Sequence, residues 1–189
     1  MPRKKKAKMK TKMKTKMKVR KKKGSKKTAV KRKKKILAVP KGYNHITPYL
    51  IVNEADKAID FYKNVFKAKL VMRMEKQDGK VGHAELKIGD TKIMLADEHP
   101  ERGIHSPSSH GDTGVGIHLY TKQVDNTVDK ALAKGATLKM PVQDMFYGDR
   151  CGTIVDPFGH LWHVATHIED VTPAKIRKRM VAIAESGEF

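Results

Sequence analysis

Along residues 46–96 the apolar residues lie first in a short run, then at helical spacing, and then in alternation with polar residues. This pattern predicts a strand, a helix and three strands in that order. The first strand is the apolar run ITPYLIV at 46–52. The helix is predicted at 53–66 with Asn53 as its N-cap, and its apolar residues fall at helical spacing: Ala55, Ala58, Ile59, Tyr62 and Phe66. Strands separated by polar turns are predicted at 69–75, 81–88 and 91–96.

The same order returns in the second half of the chain, after a polar linker at 98–114. A strand is predicted at 115–121, and a helix at 123–135 that Gly135 would end. The remaining strands are predicted at 136–146, 151–155 and 160–167, and the proline in the first of them is typical of an edge or bulged strand. A final helix is predicted at 172–185, with Thr172 as N-cap. The order βαβββ therefore occurs twice, about 69 residues apart, as in an internal repeat.

Charge divides the chain into two regions. Residues 1–41 hold 22 of the 41 Lys and Arg residues and no acidic residue, which leaves 19 basic and 20 acidic residues for the rest. The basic segment cannot bury enough apolar surface to offset the entropy of ordering it, so a disordered tail is predicted. Because dense lysine attracts polyanions, non-specific nucleic-acid binding through residues 1–41 is one prediction. A solubilising extension, or a chain that truly starts at a later Met, is the alternative.

Cysteine content and hydropathy favour one class of compartment. Cys151 is the only cysteine, and a lone thiol cannot form an internal disulfide, which is typical of a reducing compartment such as the cytoplasm. No apolar stretch is long enough to span a membrane, and the amino terminus lacks the apolar run of a secretory signal. The basic tail leaves nucleoid or nuclear association open.

Several segments, taken in order, resemble one superfamily. They are ITPYLIV, AIDFYKNVF, HAELKIGDTKIMLADE, YGDR, DPFGHLW and ATHIED. Together they are similar to the vicinal oxygen chelate superfamily of glyoxalases, bleomycin-resistance proteins and dioxygenases, and most of all to its PhnB-like branch. The resemblance covers residues 44–171, so we assign this domain to residues 42–171 and a C-terminal helix and tail to residues 172–189. It implies an α+β fold in which two βαβββ modules curl a mixed sheet around a cavity, with a homodimer in many members.

The resemblance also implies where a metal would bind. Enzymes of the superfamily hold a divalent metal that polarises vicinal oxygens of the substrate. The four ligand positions fall on Thr47, Met94, Gly116 and His163. Only His163 is a good ligand, since Met is too soft and Gly has no side chain, so no cofactor is predicted. A relocated metal site at His45, His118 and His163 is the alternative, because three imidazoles can hold zinc.

Alternation along the strand at 160–167 separates its histidines. Residues two apart share a face, so His163 and His167 lie on one face, with His163 toward the cavity and His167 near its rim. His160 and Trp162 point the other way, toward the helices or a dimer partner, where His160 has a structural role.

The segment MFYGDRCG at 145–152 and the linker offer further candidates. Arg150 has the geometry to clamp an anionic ligand, or it pairs with Asp149 or Asp156. Cys151 beside Arg150 either has a lowered pKa or is an inert, half-buried thiol. The linker at 98–114 is either a lid over the cavity or a plain connection between the modules.

We therefore predict a small-molecule binding protein of the bleomycin-resistance kind, without the usual metal. The residues expected to line its cavity are His45, Thr47, Tyr49, Met94, His118, Tyr147, Arg150 and His163. One alternative is a metal-dependent lyase, isomerase or dioxygenase. Another is a nucleic-acid-associated protein in which the domain serves as a dimerisation body. The sequence assigns no catalytic residue.

Overall fold

A computed structural model of the chain describes residues 36–186. The first of two modules consists of β1 (Tyr49–Val52), α1 (Ala55–Val65), β2 (Lys69–Glu75), β3 (Val81–Ile88) and β4 (Thr91–Asp97). The predicted βαβββ order is confirmed. The prediction of a disordered tail at 1–41 lies almost wholly outside the described residues.

The second module repeats this order. It consists of β5 (Gly116–Tyr120), α3 (Val124–Leu132), β6 (Thr137–Asp144), β7 (Asp149–Val155) and β8 (Leu161–His167). The linker holds a 3₁₀ turn (Pro100–Arg102) and a short helix, α2 (Pro107–His110), and α4 (Pro173–Ser186) follows the module. Thr172 caps α4 as predicted, since its Oγ1 accepts from the Lys175 amide at 3.3 Å.

Each module forms its own four-stranded mixed sheet, with the order β1-β4-β3-β2 in the first and β5-β8-β7-β6 in the second. The strand registers carry the internal repeat through the centre of each sheet. Tyr49 pairs with Met94 as His118 pairs with His163. Glu85 likewise pairs with Met94 as Thr153 pairs with His163. The two modules therefore present equivalent positions with different side chains.

The helix N-termini also follow the repeat. The Ala55 amide at the start of α1 donates to Oδ1 of Asp97, at the end of β4, at 2.9 Å. The Val124 amide at the start of α3 donates to Oγ1 of Thr166, near the end of β8, at 3.1 Å. The prediction of Asn53 as N-cap is wrong, because an acceptor from the neighbouring parallel strand satisfies the first amide instead.

Prolines shape one strand in each module. β1 begins at Tyr49 rather than at residue 46, because Pro48 has no amide hydrogen for the ladder. Its carbonyl still accepts from the Met94 amide at 2.8 Å. In the second module Pro141 lies in the edge strand β6, where the register with β7 shifts between Met140 and Gln143, as predicted.

Helix α1 packs into a core that both modules share. Tyr62 of α1 and Trp162 of β8 are fully buried, with ring centroids 5.5 Å apart. Their polar atoms meet at Asp156, whose Oδ2 accepts from the Tyr62 hydroxyl at 2.7 Å and from the Trp162 indole at 2.8 Å. The other carboxylate oxygen accepts from the amides of Phe158 and His160. Asp156 thus fixes the turn before β8 and joins the modules.

The orientations predicted for His160 and Trp162 are confirmed. Both side chains are buried on the helix side, and an imidazole Nε2–H of His160 donates to the Ile51 carbonyl at 3.0 Å. The linker packs beside the same turn, since a Cβ on Gly159 (φ 90°) would lie 2.7 Å from the Ser108 amide nitrogen. Within residues 36–186, no helix has the length and hydropathy to cross a membrane.

Candidate functional site

The second module leaves one face of its sheet open, here called the module-2 face. It carries His118, Tyr120, Asp149, Thr153, His163 and His167. At its centre Oγ1 of Thr153 and Nδ1 of His163 are hydrogen-bonded at 3.0 Å. The His118 ring lies nearly parallel to the His163 ring, 6.2 Å away between centroids. Two imidazoles and a hydroxyl therefore share one open surface, where they can donate or accept hydrogen bonds.

Gly116 makes room for the His163 ring. A Cβ at position 116 would lie 2.6 Å from Nε2 of His163 and 2.9 Å from its Cδ2. No real Cβ tolerates such distances, so any larger residue at 116 would displace the imidazole. The absence of a side chain at this inherited ligand position therefore determines where His163 lies.

A second cluster occupies the rim of the module-2 face. Buried Asp149 accepts from the Tyr120 hydroxyl at 2.8 Å and from Nδ1 of His167 at 2.7 Å. Burial alone would raise the pKa of Asp149, but these two hydrogen bonds, together with the charges of His167 and His118, lower the pKa. Hydrogen bonds to Asp149 and then Asp170 raise the pKa of His167 above its ordinary range. The rim therefore keeps the imidazolium–carboxylate pair to a higher pH than an isolated histidine would allow.

The first module leaves the equivalent face of its sheet open, here called the module-1 face. It carries Tyr49, Met72, Met74, His83, Glu85, Lys92 and Met94. Glu85 is 5% exposed and accepts from the Tyr43 hydroxyl and from Nζ of Lys92, the latter at 2.9 Å. The Tyr43 bond, followed by the Lys92 bond, holds the pKa of Glu85 below its usual value. Nζ of Lys92 also lies 3.8 Å from the centroid of the Tyr43 ring.

The structure places the predicted cavity residues on two separate sheets. His118 and His163 are neighbours on the module-2 face, and Tyr49 and Met94 are paired on the module-1 face. His45 and Thr47 precede β1, so strand alternation does not decide where their side chains point. His45 is exposed.

Arg150 lies on the opposite side of its strand from Cys151 and the module-2 face. Its guanidinium contacts Asp125 at 2.6 Å and Asp144 at 2.8 Å, so two carboxylates occupy the predicted anion clamp. The alternative partners Asp149 and Asp156 are bound elsewhere, as described above.

The thiol and the tyrosine near it are shielded from solvent. Cys151 is 2% exposed, and burial raises its pKa, so a thiolate lowered by Arg150 is the wrong alternative. Tyr147 is half-buried, and burial raises its pKa as well. Neither group carries the properties of a reactive nucleophile.

Comparison with known proteins agrees with this architecture. The model of the Glyoxalase/Bleomycin resistance protein/Dioxygenase superfamily matches residues 42–164. The chain belongs to this superfamily. An uncharacterized protein of Mycobacterium bovis is 38% identical to it over 138 residues, which are 71% of this chain and 91% of the relative.

Solved structures share the fold of the superfamily. The crystal structure of protein PA1353 from Pseudomonas aeruginosa is 25% identical, with a TM-score of 0.56 over 66% of this chain and 98% of that one. The PhnB protein from Bacillus cereus is 20% identical, with a TM-score of 0.50 over 65% of this chain and 99% of that one, which is a likeness of fold alone. The resemblance stated from sequence is confirmed at the level of the superfamily and its fold.

The donors present do not fit the superfamily's metal site. Gly116 offers no ligand atom, Met94 offers a soft thioether, and Thr47 offers a neutral hydroxyl, so His163 stands alone among the four inherited positions. Across residues 36–186, no three His, Cys, Asp or Glu side chains are grouped as metal ligands. Within one described chain, His45, His118 and His163 therefore do not form the relocated site.

Sequence reasoning missed the groups that organise both faces of this superfamily member. Thr153 and Asp149 were not recognised as site residues. The strand register places Thr153 opposite His163 just as Glu85 lies opposite Met94, but the 69-residue offset of the repeat leads from Glu85 to Ile154. Tyr43 was missed because it precedes the first strand and reaches Glu85 only through the fold. A search at the fixed offset of the repeat would have missed Thr153, because the last hairpin of the second module is one residue longer.

Proposed function

We propose that this protein binds a small organic molecule, without a metal, between the module-1 face of one chain and the module-2 face of a second copy. One observation carries the proposal. Each sheet packs one face into the shared core and leaves the other open, with aromatic, thioether and imidazole groups together on it. Small-molecule sites typically combine apolar walls with a few polar groups in this way.

A second copy is the proposed cover because both faces leave apolar or hydrogen-bonding groups open. The module-1 face and its edge expose apolar surface, with Tyr49 51%, Met72 39% and Met74 55% accessible. Each face also carries an ion pair, Glu85 with Lys92 on the module-1 face and Asp149 with His167 on the module-2 face. Contiguous exposed apolar patches on a folded chain commonly mark an interaction site.

The ligand class follows from the groups available. The aromatic rings of Tyr49 and Tyr120 offer flat surfaces, and His118, His163 and Thr153 offer hydrogen-bond donors and acceptors. A planar organic molecule with polar substituents fits this combination. The proposal includes no reaction, because no nucleophile or metal-ligand set is assembled among the described residues.

Native mass spectrometry of the untreated protein tests this proposal, since it reports subunit number, co-purified ligand and bound metal together. We expect a dimer that carries an organic adduct and no metal. A metal that binds, at about 100 times its dissociation constant, would add about 2.7 kcal/mol to stability and visibly raise the melting temperature. We expect Zn²⁺, Ni²⁺ and Mn²⁺ to leave the melting temperature nearly unchanged. A clear rise with metal that His163→Ala abolishes would instead support a metal-dependent lyase or dioxygenase.

The basic tail supports a second proposed function, charge-driven association with nucleic acid. The observation is the concentration of 22 Lys and Arg residues in residues 1–41. Their positive charges would replace condensed counterions on a phosphate backbone without reading its sequence. Together with the single cysteine, this favours a cytoplasmic protein that associates with nucleic acid, and a salt titration tests it as described below.

A further inference from the structure

A cleft of about 640 Å³ lies at the boundary of the two modules, where α1 ends and α3 begins. Its walls come from the end of α1, the adjoining ends of β2 and β3, and the junction of β5 with α3. Five of its lining residues are lysines and none is acidic: Lys67, Lys69, Lys87, Lys122 and Lys130. None of the residues predicted from sequence lines it, and Tyr120 is its one residue from the module-2 face.

The five lysines have no acidic partner within residues 36–186. The lysine ion pairs there involve Lys57, Lys63, Lys92 and Lys175. Asp125 lies near the cleft along α3, but Arg150 holds its carboxylate at 2.6 Å. Asp90 directly follows the lining residue Gly89 and Asp129 directly precedes Lys130, but neither lines the cleft. The positive charge of the cleft is therefore not neutralised by the described part of the protein.

Two of these lysines are direct cross-strand partners. Lys69 of β2 and Lys87 of β3 face each other in the antiparallel register, and both are exposed. Like charges directly opposite each other on a sheet destabilise it. An anion between the two ammonium groups would remove this repulsion.

The internal repeat supplies a reference for this cleft. The equivalent groove, formed where α3 ends and α1 begins, has a volume of about 470 Å³. Its charged residues are balanced: Glu54, Lys57, Asp60 and Lys134. Glu54 and Lys57 form an ion pair at 2.5 Å. The fold produces both grooves, but only one of them is rich in lysine. The fold alone therefore does not explain the positive charge of the cleft.

The remaining lining residues give the cleft two chemistries. Phe66, Ile88 and Leu119 supply an apolar floor, while Gln123 and Asn126 supply amides. Lysine ammonium groups bind phosphate as compact point charges. The volume is typical of small-molecule pockets. Tyr120 is the only exposed aromatic ring in the lining, whereas surfaces that bind single-stranded nucleic acid stack bases on several rings. A small molecule therefore fits the cleft better than a nucleic acid.

We propose that this cleft binds a small molecule that carries two or more phosphate groups, with the lysines contacting the phosphates and the apolar floor contacting its organic part. This cleft borders both sheet faces, because Tyr120 belongs to the module-2 face and Lys69 and Lys87 belong by register to the module-1 face. The proposal for the cleft does not rest on the ligand proposed for the faces. We propose more than one anionic group because lysines line the cleft from both modules.

Calorimetric titration of the full chain with inorganic pyrophosphate tests the proposal. The basic tail will also attract the anion, so the decisive comparison is between two variants of equal net charge. One carries Lys69→Gln, Lys87→Gln and Lys122→Gln in the cleft. The other carries Lys57→Gln, Lys134→Gln and Lys139→Gln, two from the equivalent groove and one from β6. We expect the cleft variant to lose about tenfold or more in affinity and the control to bind like the parent.

Two further readouts locate the anion. Pyrophosphate should shift the amide resonances of Gly89, Gln123 and Asn126 in NMR spectra of the parent chain. The unliganded cleft variant should melt at the same temperature or higher, because the Lys69–Lys87 repulsion is gone. Equal affinities in both variants, or shifts confined to residues 1–41, would overturn the proposal. A third outcome would also overturn it. If the parent does not bind pyrophosphate in the cleft, and the cleft variant binds a single-stranded oligonucleotide more weakly than the parent does, the cleft is a nucleic-acid surface.

Discussion

The hydroxyl of Tyr62 in the first module donates to the carboxylate of Asp156 in the second at 2.7 Å, in a fully buried position. This bond makes α1 part of both modules, since its own sheet lies on one side and the β7–β8 turn on the other. Asp156 has four donors in all, from Tyr62, Trp162 and two backbone amides. Burial and the Asp156 charge raise the pKa of Tyr62 well above its usual value, so the phenol stays protonated as the donor.

Replacing Tyr62 by Phe should therefore destabilise the fold. The substitution leaves a buried carboxylate with one donor fewer and keeps the ring packing, so the free energy of unfolding should fall by about 1–3 kcal/mol. Chemical denaturation followed by Trp162 fluorescence measures it. The matched control is Tyr49→Phe on the open module-1 face, which should stay within about 0.5 kcal/mol of the parent. Equal losses in both variants would contradict this role for the Tyr62–Asp156 bond.

Gly116→Ala should move His163. The added Cβ would lie 2.6 Å from Nε2 of His163, so the ring must turn and its bond to Thr153 must break. We expect a loss of about 1–3 kcal/mol in stability, a changed His163 resonance in NMR spectra and weaker binding of any co-purified ligand. Gly114→Ala is the control, since no heavy atom lies within 4 Å of its new Cβ. An unchanged His163 resonance in Gly116→Ala would refute the steric argument.

The rim pair gives a pH dependence whose sign follows from the two pKa shifts. His167 contributes stability fully below about pH 6.5, its unfolded value, and loses it as the pH rises through its raised folded value. Asp149 contributes above about pH 3.9 and loses stability as the pH falls through its lowered folded value. The pair should therefore stabilise the fold most between these limits.

An NMR titration of the His167 ring checks this dependence. Its midpoint should lie above about 6.5 in the parent and return toward that value in Asp149→Asn. Asp170→Asn should move it less, because Asp170 is fully exposed and the Asp149 bond is the larger cause. A parent midpoint at or below 6.5 would show that the ion pair does not form in solution.

Nucleic-acid binding by the tail should depend on charge and salt alone. If about eight phosphates are neutralised, the logarithm of the binding constant should fall with the logarithm of salt concentration at a slope of about −7 for duplex DNA. Random and defined duplexes should bind alike. A chain that begins at Gly42 should lose this binding and remain a dimer. Retained affinity in that chain would assign the contacts to the body, with the lysine cleft as the first place to look.

The sequence by itself determined the order of elements and the repeat. Strand and helix periods depend on neighbours along the chain, so the predicted bounds of β2 and β3 agree with the structure residue for residue. The predicted bounds and caps were wrong where they depended on hydrogen-bonding groups of other strands. Asp97 caps α1 instead of Asn53, and Pro48 ends the ladder of β1 early.

Only the tertiary structure decided which side chains meet. Alternation placed His163 and Trp162 on opposite faces of β8, but it could not show that Thr153 holds His163, or that Asp156 holds Trp162. The lysines of the cleft are dispersed over residues 67–130, in a body whose formal charges nearly balance. They become one site because the modules pack with the end of α1 beside the start of α3, a relation between distant segments that no local period encodes.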